Sequence, residues 1–314
     1  MQGSPIVPLL VLGLVAAVIF SGVTPWSVVG AMPLIFMGLD SLLGTMPAPA
    51  NNAAISARWP LILFVPAQYA FLIAVIVTAP RQTIGDIVGV VIASGMTFGI
   101  FGMLTAHELI HSRRRFERAL GTVALTSVFY AHFRISHVFG HHRFAGTRDD
   151  PASARHGEGA YRFALRSAWG QARFAYRFER RFVIAAAAIG AAMFAADFWV
   201  AGWRGIACHA GIAAVAILIL EIFNYVVHYG LTRRDNEPFS AAHSWNVAHR
   251  FSNWALLNGG LHAAHHRAPA RDHATLRAEP DMLSLPGGFG VTLCLALLPP
   301  LWRKVMDRRV ASTR

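Results

Sequence analysis

Long stretches of this sequence carry almost no charged side chains, and they restrict the fold more than any other feature. Residues 1–57 contain a single charged side chain, that of Asp40, and residues 61–79 and 87–105 contain none. A helix needs about 20 mostly apolar residues to cross the hydrocarbon core of a bilayer. The whole chain is 55% hydrophobic and 14% charged, whereas soluble proteins are about 25% charged. The sequence therefore predicts an integral membrane protein.

The apolar stretches are grouped in pairs that are separated by short polar turns. Each pair suits a helical hairpin, and we predict an all-α, polytopic membrane helix bundle that forms one domain over residues 1–314. Its six transmembrane helices are expected at about residues 6–23, 26–43, 61–79, 87–105, 182–200 and 206–227. A later apolar run at 289–298 is too short to span, and it should lie at the interface or pack against the bundle.

Arginine is concentrated between the fourth and fifth predicted helices. Cytoplasmic loops of membrane proteins are rich in Lys and Arg, so residues 106–181 and 228–314 are predicted to be cytoplasmic. The excess of 28 Lys and Arg over 16 Asp and Glu is then a topology signal, and we expect membrane lipid but no nucleic acid as a partner. The expected location is a bacterial-type inner (plasma) membrane, with the functional site on its cytoplasmic side.

Nine of the 15 histidines are placed in a pattern that suits metal binding. Side chains three or four positions apart lie on one face of a helix, and three clusters of histidines have such spacings. A further histidine stands at the end of the sixth predicted helix. The nine residues are His107, His111, His137, His141, His142, His228, His262, His265 and His266. The other histidines are expected to be ordinary interfacial or buried residues.

Imidazole is a good ligand for first-row transition metals such as iron, zinc and copper. Nine ligands are too many for one ion, because a tetrahedral ion takes four and an octahedral ion takes six. We therefore expect two metal ions with open coordination positions. The motif HELIH at 107–111 also matches a zinc-protease pattern. Such a protease site needs only one further ligand, whereas this chain offers seven more candidate histidines, so the protease interpretation is disfavoured. A membrane metal transporter is an alternative of a different class, although transport sites usually lie nearer the membrane midplane.

Four histidine-containing motifs occur in an order that is typical of one family of membrane enzymes. They are HELIH at 107–111, HVFGHH at 137–142, NYVVHYGL at 224–231 and HAAHH at 262–266. In order and spacing they resemble the membrane-bound alkane 1-monooxygenase family. That family is part of a histidine-rich group that also contains membrane fatty-acid desaturases and the xylene monooxygenase hydroxylase component. The resemblance extends from about residue 60 to residue 310, and the NYVVHYGL motif, which desaturases lack, favours hydroxylation.

The resemblance implies an activity, its cofactors and its partners. It implies two non-haem iron ions, bound by the nine histidines, and O2 as co-substrate in the hydroxylation of a lipophilic molecule such as an alkane or a related hydrocarbon. It also implies electrons from a rubredoxin or ferredoxin with an NAD(P)H-dependent reductase. The chain has no Cys-x-x-Cys pair, so that donor should be a separate protein, and the arginines at 113–118 are a candidate docking site for it. A fatty-acyl desaturase of the same group is the alternative enzyme.

The sequence departs from the family pattern near two of the clusters. Residues 259–266 read GGLHAAHH where the family usually has QRHSDHH, and Val227 precedes His228 where a Glu is common. A metal-bound histidine normally donates its second N–H to a carboxylate or carbonyl, so either other acids take over this role or the chain is a divergent branch with a different substrate. The candidates are Asp149, Asp150, Glu158 and Glu221. We expect a divergent branch of the family with a different substrate.

Overall fold

A computed structural model describes residues 3–46, 56–278 and 281–313. Residues 1–2, 47–55, 279–280 and 314 belong to the predicted domain, and some of them to the predicted cytoplasmic segment 228–314, but they lie outside the described residues. The described chain is mostly helical, as the sequence predicts, with one short parallel pair of strands, β1 (Trp245–Asn246) and β2 (Leu283–Ser284). In chain order the α-helices are α1 (Val7–Phe20), α2 (Trp26–Leu43), α3 (Trp59–Thr78), α4 (Ile84–Thr97), α5 (Met103–Ile110), α6 (Arg115–Thr126), α7 (Phe133–Ile135), α8 (His142–Phe144), α9 (Ala160–Phe178), α10 (Arg180–His228), α11 (Arg250–Ala255), α12 (His262–Arg267), α13 (Phe289–Ala296) and α14 (Pro299–Ala311).

Four helical segments of the described residues are long and apolar enough to cross a membrane. They are α2, Trp59–Arg81, Ile84–Ile110 and α10. The third segment joins α4 to α5 through a π-helical turn, Phe98–Gly102. Helix α1 is apolar but has only 14 residues, which is about 21 Å of helix. The long apolar helices confirm an integral membrane protein, but the six predicted spans are not all recovered as separate long helices.

Helix α10 contains both of the last two predicted spans. A straight helix of its 49 residues would be about 74 Å long, more than twice the hydrocarbon thickness of about 30 Å. At Gly202 the backbone is not helical, with φ 60° and ψ −152°. Asp197 and His209, on either side of this break, lie 2.7 Å apart between Oδ2 and Nδ1, whereas a straight helix would separate them by about 18 Å. The chain therefore reverses at Gly202, and α10 consists of two antiparallel arms.

The second arm of α10 packs closely on α4 because small residues face it. A Cβ atom added to Gly95 would lie 2.5 Å from the Val215 Cβ, and one added to Gly99 would lie 2.8 Å from the Ile219 Cβ. Small residues at helix contacts allow this close approach in membrane proteins, where packing rather than water exclusion drives association. This contact aligns the end of α5 with the end of α10, which both carry candidate ligands.

The arginine-rich segment between α5 and α10 packs against the bundle. Helix α6 runs back along α5, and a Cβ atom at Gly121 would lie 2.8 Å from the Ala106 carbonyl oxygen. Helix α9 packs on α10, where the Gln171 amide donates a hydrogen bond of 2.9 Å to Glu221. Residues 137–142 lie between α9 and α5, because Gly140 faces the Phe174 ring and His137 contacts His107.

The late apolar run forms α13, which packs against the bundle. The Phe289 ring lies 5.7 Å from that of Phe36 on α2, and α13 is bent by 116° against α14. Asp40, a buried acid in α2, accepts hydrogen bonds of 2.9 and 2.6 Å from the backbone N–H and hydroxyl of Ser252. The Ser252 hydroxyl in turn accepts from the Phe289 N–H. The hydrogen bonds of Asp40 and Ser252 thus join α2, α11 and α13.

Candidate metal centre

The structure brings all nine candidate histidines together in two neighbouring groups. Within each group the nitrogen atoms that could bind a metal lie within 4.8 Å of one another. The first group consists of His107, His111, His137, His142 and His265. The second group consists of His141, His228, His262 and His266. We call them the five-histidine group and the four-histidine group. Neither includes a carboxylate, so all the possible ligand atoms are nitrogens.

Helix α5 supplies two members of the five-histidine group. His107 and His111 are four positions apart, and their ring centroids lie 4.8 Å from each other. This is the contact that the HELIH motif predicts for one helix face. The π-helical turn Phe98–Gly102 directly precedes α5, and such turns are frequent near functional sites because they rotate the side chains that follow.

Residues 136–141 form a second π-helical turn, and it divides its histidines between the two groups. The sequence predicts that His137 and His141 share one helix face because they are four positions apart. The structure keeps these two rings in contact, with centroids 5.2 Å apart. It also brings the Nε2 atoms of His137 and His142 to within 3.0 Å, and it places His141 in the four-histidine group. A π-helix advances five residues for each hydrogen-bonded turn, so side chains five positions apart come together. The expected contact between His137 and His141 is therefore present, but α-helical spacing does not predict how the three rings divide between the groups.

Helix α12 also contributes to both groups. His262 and His266, four positions apart, belong to the four-histidine group, and His265 points to the five-histidine group. The chain enters α12 through Leu257 and Asn258, whose φ angles are 52° and 55°. Positive φ is costly for a residue with a side chain, and here it produces the sharp turn that precedes α12. His228, the last residue of α10, completes the four-histidine group.

The spacing of the nitrogen atoms fits metal coordination. Four pairs of Nε2 atoms within the groups are separated by 3.0 to 3.2 Å. Two ligands at right angles about an ion, each about 2.1 Å away, would be about 3.0 Å apart. The Nε2 atoms of His111 and His141 are buried and have no hydrogen-bond partner among the described residues. Buried polar atoms are normally paired, so these nitrogens suit a bound ion.

Five rings of the two groups are held in the neutral form that binds metals. Burial lowers the pKa of the rings well below their ordinary value because a charged imidazolium loses its hydration, and neighbouring histidines lower it further. This holds for His137, His142, His262, His265 and His266. At neutral pH each of these rings therefore has one nitrogen with a free lone pair.

Two candidate ligands of the four-histidine group are oriented by buried acceptors. The Nδ1 atom of His141 lies 2.8 Å from Asp150 Oδ2, and the Nδ1 atom of His228 lies 3.2 Å from the backbone carbonyl oxygen of His243. Burial alone would raise the pKa of Asp150, but His141 and the Ser153 hydroxyl outweigh it and hold the pKa below its ordinary value. Asp150 is therefore an anion that can accept the His141 N–H.

The other candidate acids do not contact the histidine groups. Glu158 forms an ion pair of 2.7 Å with Arg166, and Asp149 is exposed. Glu221 is fully buried but accepts hydrogen bonds from the Tyr130 hydroxyl and the Gln171 amide. In the structure Glu158 and Glu221 are each paired with groups on α9 or near it, so of the candidate acids Asp150 is the one that contacts a candidate ligand.

One buried acid beside the five-histidine group was missed by sequence reasoning. Glu108 lies 3.1 Å from the Nδ1 atom of His273, which is fully buried, and 3.8 Å from the Arg58 guanidinium. Arg58 also donates to Glu117 at 2.7 Å. The sequence does show that an acid, Glu108, stands inside the HELIH motif. Nothing in the sequence indicates that this acid meets Arg58 and His273 in the fold.

A largely apolar cavity extends from the helix bundle to the histidines. Its apolar wall includes Ile100, Met103, Leu104, Leu220 and Phe223. His107, His137, His262 and His265 also line it. Asn224 and Glu108 contribute the other polar side chains of its wall. Members of both histidine groups therefore border one space that suits an apolar molecule.

Comparison with known proteins agrees with this arrangement. The family model described as fatty acid desaturase matches residues 86–284. Alkane 1-monooxygenase 1 of Pseudomonas aeruginosa is 36% identical over 246 residues, which are 71% of this chain and 64% of that protein. Alkane 1-monooxygenase 2 of the same organism is 32% identical over 321 residues, which are 92% of this chain and 84% of that protein. The chain belongs to the alkane 1-monooxygenase family.

The match to family members is broad but not uniform. The xylene/toluene monooxygenase hydroxylase component of Pseudomonas putida is 25% identical over 69% of this chain and 62% of that protein. The chain spans less than two thirds of the length of that relative and of alkane 1-monooxygenase 1. Against the family pattern, Val227 replaces the usual acid before His228, and the structure supplies the His243 carbonyl as the partner of that ring.

Proposed function

We propose that this chain catalyses the O2-dependent hydroxylation of an apolar hydrocarbon, such as the terminal methyl group of an alkane or an aromatic methyl group. The observation that carries the proposal is the meeting of an apolar cavity with two all-histidine groups. Relatives named alkane 1-monooxygenase and xylene/toluene monooxygenase hydroxylase component support the same reaction class.

The two groups would hold two non-haem iron ions. The ligands of one would be His107, His111, His137, His142 and His265, and those of the other His141, His228, His262 and His266. In octahedral geometry the first set leaves one position open and the second leaves two. Bound iron would supply O2 activation and the removal of hydrogen from an unactivated C–H bond, which no side chain can perform alone.

The chain's own groups would orient the ligands and exclude water. Asp150 fixes the tautomer of His141 by accepting its Nδ1–H, and the His243 carbonyl does the same for His228. Such partners keep the other ring nitrogen available and directed at the metal. Since the rings are largely buried, few water molecules can compete with O2 or substrate at the centre.

The substrate would enter from the membrane and lie in the apolar cavity. Ile100 lies seven positions before His107, which is about 10 Å along a helix. The side chains that line the cavity over this length, Ile100, Met103 and Leu104, are apolar, so an alkyl chain could lie along α5 with one end at the histidines. The cavity offers only Asn224 and Glu108 as polar groups besides the histidines, which favours a substrate without a charged group at the reacting end.

Hydroxylation of this kind consumes O2, two electrons and two protons and releases water. The electrons would come from a separate rubredoxin or ferredoxin and its NAD(P)H-dependent reductase, because the two cysteines of the chain, Cys208 and Cys294, do not form the Cys-x-x-Cys pair typical of such a donor. Arg113 and Arg114 line a surface pocket together with His111. An acidic donor that docks there by charge complementarity would lie next to a ligand of the five-histidine group.

The membrane topology forms part of the proposal. We infer six crossings of an inner membrane by one domain over residues 1–314, made by α1, α2, α3, the segment Ile84–Ile110 and the two arms of α10. Both the reversal at Gly202 and the apolar character of α1 support this count. The positive-inside rule would place the arginine-rich residues 106–181, and with them the histidines, on the cytoplasmic side.

Desaturation is the second candidate reaction. It is favoured by one observation, the match to the family model described as fatty acid desaturase over residues 86–284. The same kind of centre could remove two hydrogens from an acyl chain in the cavity rather than insert oxygen. The products of the two reactions differ in oxygen content, so they can be separated by isotope labelling.

One experiment tests both the metal centre and the reaction. The purified protein, reconstituted with a reductase and rubredoxin, is given 18O2 and a panel of alkanes, methyl-aromatics and fatty acyl esters, and the products are analysed by mass spectrometry. We expect about two iron ions per chain and 18O in an alcohol. His141→Ala should lower the iron content, whereas His156→Ala, an exposed histidine outside both groups, should not. An unlabelled alkene as the product would establish desaturation, and full activity with zinc alone would refute the proposal.

A further inference from the structure

Helix α9 has three distinct faces. One of them is buried against the protein, and on a second face only the hydroxyl of Tyr161 reaches another described segment, where it donates to the Leu297 carbonyl oxygen at 2.9 Å. The buried face contains Ala160, Phe163, Ala164, Ser167, Gln171 and Ala175. A second face is apolar yet exposed, with Tyr161, Leu165 and Trp169 at successive intervals of four residues. The Leu165 and Trp169 side chains are 77% and 74% exposed. Large apolar side chains on a soluble surface are rarely so exposed in a row.

The third face of α9 is basic and lies beside the apolar stripe. Arg162, Arg173 and Arg177 are exposed, and none of them forms an ion pair within the described part of the chain. Arg166 on the same helix differs, because it is paired with Glu158 at 2.7 Å. The three arginines therefore present unneutralised positive charge next to exposed aromatic and aliphatic side chains.

The position of α9 in the chain identifies what covers these two faces. It ends at Phe178, and α10 begins at Arg180 and becomes apolar from Phe182 onward. Its C-terminus therefore lies where the chain enters the membrane. Tyr and Trp are enriched at the level of the lipid headgroups, and helices that lie in this interface combine an apolar face with arginines or lysines on the polar face.

We propose that α9 lies in the membrane interface and binds anionic phospholipid. The stripe of Tyr161, Leu165, Trp169 and Tyr176 contacts the acyl-chain boundary, and Arg162, Arg173 and Arg177 contact headgroup phosphates. A zwitterionic bilayer satisfies the apolar stripe but leaves the three arginines without net opposite charge, so the site selects anionic lipid. This inference does not depend on the reaction that the chain catalyses.

The buried face of α9 connects this lipid contact to the histidine groups. The hydroxyl of Ser136, one residue before His137, donates to the side-chain amide oxygen of Gln171 at 3.2 Å. A Cβ atom at Gly140 would lie 3.0 Å from the Phe174 ring, and one at Gly170 would lie 2.5 Å from Pro151, the neighbour of Asp150. Lipid that holds α9 in place should therefore also stabilise the segment 136–151.

The test compares the full chain in lipid nanodiscs of phosphatidylcholine alone and of phosphatidylcholine mixed with phosphatidylglycerol. We expect the anionic lipid to raise the Tm of the wild type, and added salt to reduce this increase because it screens the charges. The triple variant Arg162→Gln, Arg173→Gln, Arg177→Gln should lose the increase. The triple Lys variant at the same positions should keep it, which separates charge from any defect in folding.

A matched control and a direct probe complete the test. The control variant Arg148→Gln, Arg155→Gln, Arg234→Gln removes three exposed arginines that surround a polar surface pocket, and it should respond to anionic lipid as the wild type does. A nitroxide attached to lipid near the headgroups should quench the fluorescence of Trp169 in the wild type. Trp169→Phe should lack this quenched component. Equal responses of the wild type and the Gln variant would overturn the proposal. The proposal would also be overturned if the nitroxide on the lipid did not quench Trp169, which is the result expected if a second protein covers the stripe.

Discussion

His141 and Asp150 are joined by a contact of 2.8 Å between Nδ1 and a carboxylate oxygen, and both side chains are buried. Because the carboxylate takes the Nδ1–H, the lone pair of Nε2 is left for a metal ion. We expect Asp150→Asn to lower metal affinity by about 10- to 100-fold while the helical fold is kept. Metal content after dialysis against graded chelator, with circular dichroism of the same samples, measures both effects.

The matched control for this substitution is the neighbouring acid. Asp149 is exposed, so Asp149→Asn removes the same charge from the same loop without touching His141, and its metal content should equal that of the wild type. If the two variants retained metal equally well, Asp150 would have no role in orienting a ligand.

The cavity wall predicts how substrate length is limited. Ile100 lines the cavity and lies about 10 Å along the helix from His107. Ile100→Trp should therefore shorten the space available to an alkyl chain, so that turnover of long substrates falls at least tenfold while short ones are still converted. Competition between alkanes of different length, followed by gas chromatography of the alcohols, measures this shift.

A lipid-facing substitution of the same size serves as the control. Ile73 on α3 is 58% exposed and does not line the cavity, so Ile73→Trp should leave the ratio of long to short products unchanged. A uniform loss of activity over all chain lengths in Ile100→Trp would instead indicate damage to the centre, and the cavity would not be the substrate site.

The sequence predicts the membrane character and the nine clustered histidines because both depend on local features. Apolar runs and i, i+4 spacing can be read from neighbouring residues, and the structure brings all nine histidines into two groups. The division into five and four could not be predicted in the same way. It depends on the π-helical turn at 136–141, which brings the Nε2 atoms of His137 and His142 to within 3.0 Å, and α-helical periodicity carries no signal for such a turn.

Contacts between distant segments were the other features that the sequence did not reveal. Asp40, Glu108 and Glu221 are buried acids whose partners lie 212, 165 and 91 residues away. Asp150 was one of four candidate acids, and only the fold shows that it, rather than Glu158 or Glu221, contacts a histidine. A single sequence records which residues carry charge, but not which charges meet after folding.

Glu221 should act on stability rather than on metal binding. It accepts hydrogen bonds of 2.8 and 2.9 Å from Tyr130 and Gln171. Glu221→Ala therefore leaves the buried Tyr130 hydroxyl without this acceptor, at a cost of about 1–3 kcal/mol, while the Gln171 amide keeps only its bond to Ser167. We expect a lower Tm but an unchanged metal content in the protein that remains folded. Glu179→Ala, at an exposed acid beyond the end of α9, should change neither quantity. Loss of metal without loss of Tm in Glu221→Ala would show that Glu221 supports a ligand after all.

The reversal of α10 depends on one backbone conformation, which a pair of glycine substitutions can isolate. Gly202 has φ 60° and ψ −152°, a region that only glycine adopts easily, so Gly202→Ala should lower the free energy of unfolding by about 1–3 kcal/mol. Gly13 lies within the helix α1, and an added Cβ atom meets nothing within 4 Å at either position. Gly13→Ala should therefore be neutral or stabilise the protein by up to about 1 kcal/mol, since alanine favours helix over glycine. Thermal unfolding of both variants in one detergent measures the difference, and equal Tm values would mean that α10 does not need its reversal at Gly202.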